Sequence, residues 1–580
     1  MSGIVPTMSS YNENLTNLRA KLSHMMADAI LVAIDNSFGN LRSEGSMISH
    51  VSGYTGSNGR AVISQRDAIL SVDGRYIKQA TEQTDHVTWK VGMYPEVDVI
   101  RMLSNIMKRG QKLVIGPFSA SYKSYVSILQ LAEKIGFTVT VLDKYPLAQE
   151  YTPDTTLFLM SEADMGETRA SRIERIQATL ANGEAVLLGG QSVVGWIFGI
   201  RRKITTKDKS VVPTCVALIT KARKPVVFCD LELEKVTQDF DFVHIREFET
   251  VTKNTPKATV ICDFSDTPSY FPIKLQECGF AIKQSSVNYG HFEAIKNPTE
   301  IANQKKAAEM TSTAFIKALA YIENCASTSE IEVINLLENE LRKNELFVDL
   351  SFNAISSFGR NTSIVHYTPE TFGDTSVNTD GLFLLDAGAH FRNSTTDMTR
   401  IVYRGPAPPD EIKRIYTTVL KSVIMFSSAQ FPDKTKAHCL DSIARFLVWK
   451  DGFDYQFGTG HGVGSFGKVH EHPRVSTNSV EEITGNMVLT IEPGIYKENF
   501  GIRLENMLLT RHSSMHTGFV EFETINFIPY SRKLINNDML DAHEVATINS
   551  YHVETYRRYY EYFADDPVTL AWLKENTMAL

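Results

Sequence analysis

Cysteine is scarce in this chain: six in 580 residues, Cys215, Cys229, Cys262, Cys278, Cys325 and Cys439, scattered and without a Cys-x-x-Cys pair. That pattern excludes a dense disulfide framework and predicts reduced thiols in a cytosolic setting. Long apolar runs are missing too, since no stretch reaches the roughly 18 uninterrupted apolar residues that a membrane span needs. The N-terminus, MSGIVPTMSSYNEN, lacks a charged segment followed by an apolar one. A soluble cytoplasmic protein with no membrane partner is the expectation. Nor is there a surplus of one charge: 59 Lys and Arg against 67 Asp and Glu leave a net charge of -8, with no basic run. Nucleic acid is therefore not an expected partner, and small, neutral or peptidic partners remain. Without a G-x-G-x-x-G fingerprint or a P-loop, nucleotide binding has no support. What remains is ordinary globular material, 43% hydrophobic and 22% charged, long enough for two to four domains.

Short β-like runs open the chain: AILVAI at 29 to 34, AVIS at 61 to 64 and AILSVD at 68 to 73, separated by turn-rich segments such as SGYTGSNGR. Helical patterns lie between them, which is an α/β layout. About 156 residues later a weaker echo appears, with AVLLGG at 185 to 190, Gly199 where the first copy has Gly53, CVALIT at 215 to 220 and PVVFCD ending at Asp230. Shared order and spacing predict two related α/β domains in tandem, 1–157 and 158–295.

The character changes near Asn297-Pro298-Thr299-Glu300, where Thr299 is the expected cap of a long helix through IANQKKAAEMTSTAFIKALAYIEN. A second helix is expected from Ser329, with Glu332 completing a capping box. A third follows the turn RGPAPP, with Ile412, Ile415, Tyr416, Val419, Leu420 and Val423 on one stripe. Every dense cluster of potential ligands lies beyond this point, so the third domain, 296–580, is expected to carry the chemistry.

LLDAGAHFRNSTTDMTR, residues 384 to 400, reads as a hairpin with an aspartate in each arm. A turn near Phe391 and Arg392 makes Asp386 and Asp397 cross-strand neighbours, with Cβ atoms roughly 4.5 to 5.5 Å apart. Two carboxylates that close repel unless one is protonated or a cation lies between them, and a bed of this width suits two metal ions. VLTIEPGIYKENFGIRLENMLL repeats the device: Glu492 ends one apolar strand and Glu505 interrupts the next. Between the hairpins, FGTGHGVGSFGKVHEHP presents His461 among glycines. Two Asp, two Glu and one His form an oxygen-rich set that suits manganese or a similarly hard divalent ion.

Paired Asp, glycine-bound His, Glu-Pro-Gly and Arg-x-Glu-Asn, in that order, resemble the pita-bread metallopeptidases over 296–580. HVSGYTGSNGRAVIS and SVDGRY resemble the creatinase-type N-terminal domain, and two such domains ahead of the catalytic one look like the three-domain eukaryotic cytosolic aminopeptidase P (Xaa-Pro aminopeptidase) type. The tail YHVETYRRYYEYFADDPVTLAWLKENT is similar to that branch's C-terminal extension. The resemblance implies an α/β and α+β architecture, two tandem creatinase-like α/β domains before a pita-bread metallopeptidase domain, and a homodimer. It also implies a metallo-aminopeptidase that hydrolyses the N-terminal Xaa-Pro bond of short peptides through a metal-bridged water. Asp386 would bind one ion, His461 and Glu492 the other, and Asp397 and Glu505 both.

By the same resemblance Glu492 shuttles the water proton, His366 lies on the substrate side and His470 steadies the tetrahedral intermediate, where an N–H aimed at the developing oxyanion is the physical need. Arg503 would hold the bridging carboxylates in place. His472 has no role in that pattern and reads as a surface loop residue. The family's His-Gly-Thr-Gly-His-Gly begins here with Phe457, which neither donates a hydrogen bond nor takes a proton. Weakened turnover or altered specificity is expected from it. Two other readings stay open: a non-catalytic peptide-binding protein on the same fold, and a prolidase restricted to Xaa-Pro dipeptides.

Overall fold

The computed structural model describes residues 8–34, 46–147, 155–205 and 209–580. The first seven residues of the N-terminal stretch read above lie outside the described residues. The chain forms two compact units: Met1–Leu159, Thr168–Lys203 and Val212–Tyr289 in one, Met160–Glu167, Ile204–Val211 and Gly290–Leu580 in the other.

The first unit holds two six-stranded sheets. In the first the strand order is Trp89–Met93, Ala68–Val72, Gly59–Ser64, Ala29–Ile34, Lys112–Ile115, Thr138–Val141. In the second it is Asp241–His244, Val226–Cys229, Cys215–Thr220, Glu184–Leu188, Thr259–Cys262, Ala281–Gln284. Parallel and antiparallel pairings fall at the same places in both, with two antiparallel joints in the middle and parallel ones at each side. Gly53 and Gly199 each end the helix between the first two strands, at φ 80° and 61°. Position 157/158 lies within the strand Leu157–Leu159, which pairs with Ile200–Arg202.

In the second unit a three-stranded sheet of Ile355–Phe358, Gly381–Ala387 and Met398–Arg404 accompanies a six-stranded one, ordered Gln430–Pro432, Phe519–Thr524, Asn506–His512, Val488–Ile491, Gly460–Gly462, Glu471–Val475. Alternate residues of the same strands enter different cores. Leu382 and Leu384 pack with Ile415, Tyr416 and Val419 of the helix Asp410–Ser427, whereas Phe383 and Leu385 pack with Ala308 and Phe315 of the helix Pro298–Asn324. Helices on both faces explain why these strands read as continuous apolar runs rather than as alternation. A carboxylate within such a strand has no solvent to turn to.

The helix Glu330–Leu341 starts as expected, with Ser329 and Glu332 forming a capping box. The long helix starts earlier than expected. Its cap is Asn297, paired with Glu300, and Pro298 takes the first helical position. Proline lacks only an N–H that the first turn would leave unpaired, and it holds the residue before it extended, so the cap moves back from Thr299 to Asn297.

Candidate metal centre

The Gly381–Ala387 and Met398–Arg404 strands pair so that Asp386 stands opposite Thr399. An inner hairpin continues that register, with Phe391 opposite Ser394, and the chain turns at Arg392 and Asn393. The turn therefore lies one residue beyond the expected place, and Asp386 and Asp397 are not direct cross-strand partners. A one-residue shift of a turn moves each partner by two positions, and two positions preserve the face because side chains alternate. The carboxylates meet on a diagonal: Asp386, Asp397 and Glu505 bring oxygens within 4.8 Å of one another, all three buried.

The glutamates face each other directly. Ile491 pairs with Asn506 and Gly494 with Arg503, which leaves Glu492 and Glu505 at opposed positions between the two ladders. Glu505 donates its backbone N–H to the Thr399 carbonyl at 3.1 Å, and Glu492 donates its own to Thr459 at 2.8 Å. Strand pairs from different sheets are thereby joined at Glu505 and Thr399.

His461 lies on a strand squeezed between two others. A Cβ on Gly460 would fall 2.0 Å from the Thr490 carbonyl oxygen, and one on Gly462 would fall 2.0 Å from that of His472. Only glycine fits on either side, which accounts for FGTGHGVG. His461 Nδ1 lies 3.0 Å from the Gly462 carbonyl. A carbonyl only accepts, so Nδ1 carries the proton and Nε2 faces Asp397 and Glu492, each at 3.5 Å. His461, Glu492 and Glu505 form a second ligand group, and Asp397, His461 and His470 a third.

Burial pushes the Asp386 carboxyl above the usual range, against the pull of Arg503. Burial, then Asp386 and Glu492, pushes Asp397 well up, and burial, then Asp397, Glu492 and Asp386, does the same to Glu505. Asp386 Oδ1 and Glu505 Oε1 are buried without a hydrogen-bond partner. A buried carboxylate oxygen in that state costs free energy, and a divalent cation supplies what both lack. Hard oxygen donors with one neutral imidazole fit that group chemically.

Among the described residues Arg503 is the one buried Lys or Arg that bonds these carboxylates directly. It donates to Asp386 and to the Tyr496 hydroxyl, and its Nε reaches Thr399 Oγ1 at 3.4 Å. Thr399 in turn donates to Glu505 at 3.0 Å. Arg503, expected to hold Asp397 and Glu505 in place, grips Asp386 itself, and its hydrogen bonds lead to Glu505 through Thr399. Facing ladder positions explain this, because Arg503 is two residues before Glu505, on its face. Tyr496 and Thr399 escaped the sequence reading. Their signal was parity: Thr399 is two residues after Asp397, and Tyr496 is four after Glu492.

Of the remaining expected residues, His470 is exposed beside His461, with ring centroids 4.3 Å apart at 80°. His366 is half-buried in the turn after 359–363 and belongs to none of the three ligand groups. His472, expected as a surface loop residue, lies half-buried on the strand Glu471–Val475, with Nδ1 3.0 Å from Glu481. The glycine-rich sequence before it hid that short strand. Phe457 is half-buried, packed on Tyr455 and Tyr496 at centroid distances of 5.0 and 5.8 Å.

The model of metallopeptidase family M24 matches residues 302–512, and that of the C-terminal region of peptidase_M24 matches 518–580. A probable Xaa-Pro aminopeptidase P of Metarhizium robertsii is 30% identical over 573 residues, covering 91% of this chain and 92% of its own. A probable Xaa-Pro aminopeptidase P of Aspergillus niger is 27% identical, covering 98% and 99%. The crystal structure of X-prolyl aminopeptidase from Caenorhabditis elegans, described as a cytosolic enzyme with a di-nuclear active site, is similar with a TM-score of 0.90 at 24% identity, over 98% of this chain and 100% of that one.

Proposed function

Because the chain belongs to the Xaa-Pro aminopeptidase P family of M24 metallopeptidases, we propose that it releases the N-terminal residue from short peptides with proline second. Asp386, Asp397, His461, Glu492 and Glu505 hold two divalent ions, manganese by donor type. The carrying observation is the convergence of these five side chains on one buried bed in which Asp386 Oδ1 and Glu505 Oε1 lack partners. Grouping supports the division of roles. Asp386 sits with Asp397 and Glu505, His461 with Glu492 and Glu505, and Asp397 again with His461. Asp397 and Glu505 thus reach both sides.

A tertiary Xaa-Pro amide has no N–H, and its ring obstructs ordinary proteases. Two bound ions would polarise the scissile carbonyl and make a water acidic. The chain's own groups do the rest. Glu492, whose side chain is 20% exposed, is the carboxylate open to substrate; it takes the proton from the attacking water and passes it to the leaving proline nitrogen. His470 donates an N–H to the carbonyl oxygen as charge develops, and His366 contacts the substrate. Arg503, through Asp386 and Thr399, keeps the ligands from splaying.

Three further assignments belong to the same reading. Residues 1–157, 158–295 and 296–580 are the domains, supported by the repeated sheet order. The protein is a homodimer, supported by Phe446 and Trp449, 57% and 47% exposed and three residues apart on the helix Ala437–Lys450. It works in the cytoplasm, supported by six cysteines outside any disulfide; among the described residues no helix is long and apolar enough to cross a membrane.

One experiment separates the readings: metal content together with hydrolysis of an Xaa-Pro dipeptide against an Xaa-Pro-Xaa tripeptide. Two ions and preference for the tripeptide are expected. Cleavage of the dipeptide alone would make the protein a prolidase, and metal without hydrolysis of either would make it a binding protein.

A further inference from the structure

The two ligands that reach both sides of the bed, Asp397 and Glu505, each precede a strand, Met398–Arg404 and Asn506–His512, and those strands belong to different sheets. Their separation is not set by one ladder. Behind them lies Arg400, fully buried, on the strand face opposite to Thr399. Its Nη1 donates to the carbonyls of Thr399 and Glu505, at 2.9 and 2.6 Å. Its Nη2 donates to Asn506 Oδ1 at 2.7 Å, to the Ile528 carbonyl at 3.0 Å and to the Tyr551 hydroxyl at 2.8 Å, while Nε donates to Ile528 at 3.1 Å.

None of these acceptors is a carboxylate. A guanidinium surrounded by neutral acceptors gains no ion pair for its desolvation; its rigid planar fork gives orientation instead. Each acceptor lies within two residues of Asp397 or Glu505, or in the C-terminal region. Tyr551, on the helix Ala542–Tyr559, accepts from the Ile528 backbone N–H at 2.9 Å as well as from Arg400. Asn506, next to Glu505, donates to the Tyr530 hydroxyl at 2.7 Å, and the Tyr530 ring lies 4.9 Å under the Arg400 guanidinium.

We propose that Arg400, locked in place by Tyr551 of the C-terminal region, is a positioning residue that fixes the spacing of Asp397 and Glu505 and so the affinity of the site for its second ion. The inference rests on the two-ion reading above. It assigns residues 518–580 a part in metal binding although none of their side chains is among the ligands. Supports behind metal ligands are worth roughly 10- to 100-fold in affinity.

The test is manganese titration of the full chain by calorimetry and electron paramagnetic resonance, beside kcat and KM on a tripeptide. Tyr551→Phe keeps its ring against Phe527 and Tyr530, 5.3 and 4.7 Å away, and should fold. It should bind the first ion normally, bind the second about tenfold more weakly, lose the spin-coupled manganese signal at equal loading, and lose kcat with KM little changed. Arg400→Lys keeps the charge without the fork and should lose more, about 100-fold. Variants matching the wild type in second-ion affinity and signal, differing only in melting temperature, would overturn the inference. A wild type that takes no second ion would overturn the two-ion reading and this inference with it.

Discussion

The ring of Phe457 meets that of Tyr496 edge to face, 5.8 Å between centroids and 79° between planes, and the hydroxyl of Tyr496 accepts from Arg503, which grips Asp386. The residue that departs from the family pattern thus stands one ring contact and two hydrogen bonds behind Asp386. Tyr455 supports its other side at 5.0 Å. Imidazole is smaller than phenyl and can occupy the same slot, keeping the Tyr496 contact while adding an N–H. Phe457→His should raise kcat on an Xaa-Pro-Xaa peptide about 100-fold or more, the scale of an acid–base contribution, with metal content unchanged. A lower kcat with both ions in place would show that the apolar wall itself serves the substrate.

Asp397→Asn tests the bed from the opposite direction. Asp397 is 4% exposed and its ionised form is disfavoured by burial and by Asp386 and Glu492. Removing one negative charge relieves that repulsion when no ion is present. Stripped of metal, the variant should therefore be more stable than the stripped wild type, by roughly 0.5–2 kcal/mol in denaturant unfolding. With metal supplied the order should reverse, because a ligand shared by two ions has been lost, and activity should disappear. A variant less stable in both conditions would make the aspartate structural.

Much of this centre was legible because its ligands break rules that their surroundings obey. Asp386 and Glu505 interrupt apolar strands buried on both faces, and His461 stands where neighbouring backbone leaves room only for glycine. Register was harder. The turn at Arg392 and Asn393 rather than at Phe391 and Arg392 could not be read from local residues, yet the error moved Asp397 by two positions and left it on the correct face. Contacts between elements far apart in the chain were not legible at all. Arg503 to Asp386 and Arg400 to Tyr551 join residues 117 and 151 positions apart, and no periodicity encodes them. Asn297 was missed for a local reason, since a cap followed by proline competes with the threonine beyond it.

His552 predicts how the C-terminal region responds to acid. It is fully buried and accepts the Tyr530 backbone N–H at Nε2, 3.2 Å away, so the ring must be neutral there. Burial, with Arg532 and Arg400 nearby, lowers its pKa from 6.5 to about 3. A group with a depressed folded pKa binds protons more readily in the unfolded chain. Its contribution is thus complete above pH 6.5 and is lost as pH falls toward 3. The loss is about 1.4 kcal/mol per pH unit, or roughly 2 kcal/mol by pH 5. His552→Gln, with an amide oxygen in place of Nε2, should flatten that slope in unfolding experiments between pH 7 and 5. An imidazole that titrates near 6.5 in the folded protein would refute the assignment.

His470 shares a ligand group with Asp397 and His461, which makes it either a metal ligand or a donor to substrate. Exposure decides between them. Four of the five proposed ligands are buried, Asp386 and His461 within strands and Asp397 and Glu505 at the ends of strands, whereas His470 is exposed and follows an irregular stretch. A ligand needs a fixed ring; a donor to a transient oxyanion needs only to arrive when charge develops. His470→Ala should therefore keep two ions at wild-type affinity while kcat falls about 100-fold or more, the usual size of one oxyanion donor, with KM much less affected. Loss of an ion from that variant would make His470 a sixth ligand. The same substitution at His366, which lies outside every ligand group, should leave metal untouched and raise KM, because a group that contacts substrate before and after bond cleavage contributes uniform binding.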